Sequence, residues 1–301
     1  YISYPRGGRP TMLAPASSSR WQRGAGKGLK SLCSRLNNAM ELHEYSEAAK
    51  PFLLGRGGNA VLLIHGFTGL PYEMREYGEY LASRGFRVYA PLLPGHGSCK
   101  EEMIKTGRAD WVRGAEEGLR LLQDEGAENV FVSGLSMGGT LTLLLGEKHP
   151  EVRGLLPVCG PVYLSDWRLH FLLPVVKRFT SYYSENLSDI LDKSVLDNPV
   201  AREHGRRYDR IPLPCVAELL ELIRETREGL SMVKQPILIA QARRDRVVPP
   251  GNADYIYRGV SSSVKRVLWL ENSGHVATMD FDKRVLFREA AEFFKSLIMQ
   301  S

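Results

Sequence analysis

Gly134-Leu135-Ser136-Met137-Gly138 reads G-x-S-x-G, a spacing that can carry a serine on a sharp turn between a strand and a helix. The flanking residues supply that setting. Val130-Phe131-Val132 runs in as a short apolar strand, and residues 138–147 continue with helical character. Such a turn puts the hydroxyl at a helix N-terminus, where free N–H groups and the macrodipole favour developing negative charge. The small Gly134 and Gly138 leave room for neighbouring backbone. The chemistry this allows is attack of a serine oxygen on an acyl carbon. A chance match in a glycine-rich turn is the plain alternative, and the strand–turn–helix setting argues against it.

A serine hydroxyl is a poor nucleophile until a base takes its proton. Among seven histidines, His275 stands in Asn272-Ser273-Gly274-His275, between the last strand pattern and the terminal helix. In an open parallel sheet that loop lies at the same carboxyl edge as Ser136. Asp245, in a loop directly after the strand ending near Ala240, is the candidate carboxylate that fixes the imidazole tautomer and stabilises the imidazolium. The alternatives are a surface-loop role for His275 and, for Asp245 with Arg243, Arg244 and Arg246 around it, a surface ion pair. An acyl-transfer site also needs two N–H donors for the oxyanion. Met137, just after the serine, would supply one and Phe67, in the loop His65-Gly66-Phe67-Thr68-Gly69, the other. His65 is expected to be structural, and His96 in Pro94-Gly95-His96-Gly97 to shape a loop near the site. No metal-ligand spacing, phosphate loop or dinucleotide fingerprint occurs, so neither a metal nor an organic cofactor is expected.

These residues need a scaffold that brings distant loops to one edge. Apolar strand patterns at residues 60–64, 86–90, 130–132, 152–158, 236–240 and 264–270 alternate with helical patterns at 72–84, 111–122, 138–147, 214–230, 253–257 and 281–298. That alternation predicts an α/β protein with a mostly parallel central sheet and helices on both faces. Residues 161–213 break the rhythm and are expected to form a small inserted cap over the carboxyl edge. Residues 45–160 and 214–301 would form the core, and residues 1–44 a basic, flexible tail. The chain opens on Tyr1, and Met40 begins a sensible native start. The tail is therefore expected to be an upstream-translated or expression-derived segment, with a targeting or regulatory role as its alternative.

The net charge of +6 belongs to that tail: residues 1–40 hold seven Lys and Arg and no acid, whereas the remainder carries 33 basic and 34 acidic residues. A near-neutral body gives no reason to expect nucleic acid as a partner. No apolar run approaches the ~18 residues that suggest a membrane span, so no integral membrane segment is expected. Cys33, Cys99, Cys159 and Cys215 are scattered and read as free thiols of a reducing compartment.

Together, His65-Gly66-Phe67-Thr68-Gly69, Pro94-Gly95-His96-Gly97, Asp110-Trp111, Gly134-Leu135-Ser136-Met137-Gly138-Gly139, Gln241-Ala242-Arg243-Arg244-Asp245, Asn252-Ala253-Asp254-Tyr255-Ile256-Tyr257 and Ser273-Gly274-His275 resemble the bacterial carboxylesterase and monoacylglycerol-lipase branch of the α/β-hydrolases. The resemblance covers about residues 45–300. It implies the α/β-hydrolase fold, hydrolysis of carboxylic esters through an acyl-enzyme without metal or cofactor, a cap shaping an acyl pocket, and a cytoplasmic location. The substrate expected is a small ester with a short or medium acyl chain, monoacylglycerols included. A thioesterase, lactonase or acyltransferase with the same triad is the nearest alternative, and a non-catalytic binding protein on this scaffold a more distant one.

Overall fold

The computed structural model describes residues 47–164 and 212–299. The expected tail, residues 1–44, lies outside the described residues, as do residues 165–211 of the expected cap.

Seven strands form one sheet: β1 (Phe52–Leu54), β2 (Asn59–Ile64), β3 (Arg87–Ala90), β4 (Asn129–Leu135), β5 (Gly154–Val158), β6 (Ile237–Ala242) and β7 (Lys265–Leu270), in the order β1-β3-β2-β4-β5-β6-β7. All pairings are parallel except β1 with β3. The inner strands are apolar along their length because both faces are covered. Residues 60–64 of β2 are all fully buried. The helices are α1 (Arg75–Ser83), α2 (Lys100–Met103), α3 (Arg108–Asp124), α4 (Met137–Lys148), α5 (Leu213–Gly229), α6 (Asn252–Gly259) and α7 (Lys283–Ile298).

Alternation along the strands splits the core into two layers. In β4, Phe131 and Leu135 pack with Tyr77 and Leu81 of α1 and Phe294 of α7. Val130 and Val132 pack with Trp111 and Leu119 of α3, Leu141 of α4 and Leu222 of α5. Helix α4 is apolar nearly all round and buried along its length, as a helix wedged between sheet and neighbouring helices must be. Among the described residues no helix is long and apolar enough to cross a membrane.

The alternating parallel architecture agrees with the sequence expectation. Two elements were not expected. Strand β1 has three residues between Pro51 and Gly55, too few to show alternation, and it pairs antiparallel at the sheet edge. Helix α2 is a single turn, below the length at which helical periodicity is visible.

Candidate active site

Five parallel strands end at one edge of the sheet, and each hands its chain to a loop that contributes to one cluster. Ser136 follows β4 with φ 56° and ψ −118°. The turn is held by Ser136 N–H donating to Val158 O at 2.9 Å and Thr140 N–H donating to Ser136 O at 3.1 Å. Its flanking glycines are steric necessities. A Cβ on Gly134 would stand 2.2 Å from Gly138 O, and one on Gly138 would stand 2.1 Å from Ile64 O. The serine itself stays partly exposed, within reach of a substrate.

His275, in the loop after β7, faces the serine: Nε2 lies 2.8 Å from Ser136 Oγ. On its other side, Nδ1 lies 2.8 Å from Asp245 Oδ2. A carboxylate only accepts, so Nδ1 carries the proton and Nε2 is left to accept from the serine hydroxyl. Asp245 Oδ1 accepts the N–H groups of Val247 at 2.9 Å and Val248 at 2.8 Å, and Gln241 Nε2 reaches Oδ2 at 3.3 Å. Asp245 and His275 are both buried. Two of the neighbouring arginines point elsewhere: Arg243 lies over the Trp269 ring and Arg244 reaches Asn272 Oδ1.

The loop after β2 is a tight turn closed by Gly69 N–H donating to Gly66 O at 3.0 Å, with Thr68 at φ 59°. Positive φ is rare for a β-branched residue. His65 anchors the turn. Its Nε2 accepts Leu93 N–H at 3.1 Å, so its Nδ1–H donates to Gly66 O at 2.9 Å. Burial, reinforced by His96 nearby, lowers the His65 pKa to about 3, and burial lowers that of His96 to about 4. Both rings are therefore neutral near pH 7. The Phe67 ring packs edge-on against Trp111 and His96, with centroids 5.7 Å and 6.2 Å away. Met137 opens α4, and the first N–H groups of a helix have no partner within it. Gly66 lies close under the serine, since a Cβ there would come within 3.4 Å of Ser136 Cβ. Phe67 therefore lies in the loop that borders Ser136.

Sequence reasoning missed the supports. Buried Asp280 accepts Gly274 N–H at 2.7 Å and Phe281 N–H at 2.9 Å, holding the backbone beside His275. Asp282 accepts Asn272 N–H at 2.6 Å and Ser273 Oγ–H at 3.1 Å. Buried Asn252 clamps the chain where it leaves β5: Oδ1 accepts the N–H groups of Val162 and Tyr163 at 2.8 Å and 3.0 Å, and Nδ2 donates to Tyr163 O and Pro249 O. Only the Asn252 stretch carried a sequence signal, through the family resemblance. Among the described residues, the one group with metal-ligand chemistry is Cys159, Asp245 and His275. Asp245 and His275 are already committed to each other, Asp245 also to two backbone donors and His275 to Ser136 Oγ.

A family model described as serine aminopeptidase, S33 matches residues 57–282. The chain is 39% identical over 256 residues to a thermostable monoacylglycerol lipase of Bacillus sp. (strain H-257), covering 84% of this chain and 97% of that protein. It is 31% identical over 250 residues to a carboxylesterase of Bacillus subtilis (strain 168), covering 82% and 97%. Among solved structures, one described as "LipS and LipT, two metagenome-derived lipolytic enzymes" aligns with TM-score 0.74 at 32% identity, over 83% of this chain and 98% of that one. A monoacylglycerol lipase of Paleococcus ferrophilus aligns with TM-score 0.70 at 19% identity, over 82% and 98%, a likeness of fold alone.

Proposed function

Because the chain belongs to the serine hydrolase family described as serine aminopeptidase, S33, within the α/β-hydrolases, we propose that it is a serine carboxylic-ester hydrolase. The observation that carries this reading is the unbroken chain from Ser136 Oγ through His275 to Asp245, with both contacts at 2.8 Å. Ser136 Oγ attacks the ester carbonyl carbon while its proton passes to His275 Nε2. The tetrahedral oxyanion is held by the N–H groups of Phe67 and Met137. As it collapses, the carbon–oxygen bond to the alcohol breaks and His275 returns the proton to the departing alkoxide. Water, deprotonated by the same nitrogen, then attacks the acyl-enzyme and releases the acid and Ser136. Asp245 keeps the proton on Nδ1 throughout.

The family description names a peptidase, whereas the relatives at 39% and 31% identity are named for esters. Esters with short or medium acyl chains, monoacylglycerols included, are the substrates of this reading. The relatives' names support it, as do the apolar Trp167, Phe171, Leu172 and Leu173 in the expected cap. A cytoplasmic setting belongs to the same reading, supported by the free thiols of Cys99, Cys159 and Cys215.

The test is hydrolysis of p-nitrophenyl esters from acetate to palmitate, with an amino-acid p-nitroanilide and Ser136→Ala alongside. A maximum at short or medium chains, lost in the variant, is expected. Anilide cleavage outrunning every ester, or ester turnover surviving Ser136→Ala, would overturn the proposal.

A further inference from the structure

Three residues other than glycine have positive φ among the described residues: Thr68, Ser136 and Cys159. They follow β2, β4 and β5, which are neighbours in the sheet. Backbone strain of this kind persists where surrounding structure enforces it and gathers at functional sites. Thr68 shapes the turn bearing Phe67, and Ser136 is the proposed nucleophile. Cys159, at φ 47°, has no part in the mechanism above. A glycine would take this conformation without strain, yet here a side chain occupies it.

That side chain reaches the site. Cys159 N–H donates to Ala240 O at 2.8 Å, fixing the residue against the end of β6, from which the Asp245 loop departs. The thiol is fully buried. Its sulfur, a carboxylate oxygen of Asp245 and a ring nitrogen of His275 all lie within 4.8 Å of one another. Burial first, then the charge of Asp245, push the thiol well above its ordinary range, and Asp280 acts in the same direction. The sulfur therefore keeps its proton, which it can offer to the carboxylate, while the Ala242 backbone N–H acts on it in the opposite direction.

We propose that Cys159 is a positioning residue for Asp245, its neutral S–H acting as a further donor to the carboxylate that orients His275. The proposal rests on the Ser136–His275–Asp245 reading. Among the described residues, the oxygen that bonds His275 is otherwise met by Gln241 at 3.3 Å, near the limit of a hydrogen bond. A neutral thiol suits this place, because a thiolate would be repelled by Asp245 and by the buried Asp280. The titratable groups facing the thiol are Asp245, His275 and Asp280.

Removing the donor leaves the carboxylate more basic and the imidazolium better stabilised. In Cys159→Ala the acid limb of kcat/KM should move up by about half a pH unit, with kcat reduced a few-fold and KM little changed. Cys159→Ser restores a donor and should return the limb to its wild-type position. Melting temperatures of both variants report packing separately. A limb unmoved in Cys159→Ala, or moved equally in Cys159→Ser, would show the thiol to be a spacer and overturn the proposal. Wild-type ester turnover no greater than that of Ser136→Ala would instead remove the reading on which it rests, and the proposal with it.

Discussion

In the proposed mechanism Asp245 acts without touching a reacting atom, through the position of one proton. Its carboxylate accepts Nδ1–H of His275 and so leaves Nε2 free to accept from Ser136. An amide at this position can turn its NH2 toward Nδ1 and force the proton onto Nε2, which then donates to the serine instead of accepting. Asp245→Asn should therefore lower kcat by roughly 10³–10⁴-fold while the melting temperature changes little. Initial rates on a p-nitrophenyl ester and thermal unfolding check both halves. A loss under about tenfold would mean that Asp245 does not set the tautomer. His65 shows the same logic with a carbonyl in place of the carboxylate: a neutral ring, locked by what each nitrogen meets, ties the turn bearing Phe67 to Leu93 N–H.

At the scale of elements, the site is a product of parallel strands ending at one edge. That is why so much of it could be read in advance. Ser136, Asp245 and His275 each lie shortly after an apolar run, and residue type plus position at a strand's end was enough to single them out. Asn252 was quoted only as part of a family stretch, and Asp280 was passed over. Their work is to accept or donate to main-chain groups, which carry no residue signature. For Asn252 the amides it meets lie 89 and 90 residues away. Strand β1 was missed for want of length, since three residues show neither period. Asn252→Ala would strand the buried N–H of Val162 and the half-buried N–H of Tyr163 and should lower unfolding stability by about 2–4 kcal/mol. Ser136 should still react with a fluorophosphonate, because the clamp holds the chain where it leaves β5 and is not in the proton chain. Denaturant unfolding and labelling, read side by side, separate the two effects.

At the scale of the whole molecule, the charge excess resides in the first 40 residues, so stability against pH is governed by individual groups of the body. Glu147, on the face of α4 that meets Gly229, is one of them. Burial raises its pKa from the ordinary 4.5 to about 8, with Lys148 opposing only in part. The folded chain thus holds a proton here that the unfolded chain releases, so stability falls as pH rises through the window from 4.5 to about 8. Glu147→Gln should flatten that stretch of the melting-temperature profile, and an unchanged slope would show that Glu147 does not cause it. The seven-stranded sheet has one further consequence. Ser136 and the histidine that faces it are 139 residues apart, and their contact needs β7 to dock at the far edge of the sheet. Contacts this distant form late, because loop closure must precede them. A growing or refolding chain should hence remain catalytically silent until its last strand is in place. The appearance of activity during refolding would then serve as a clock for the final step of sheet assembly, trailing the recovery of helix signal.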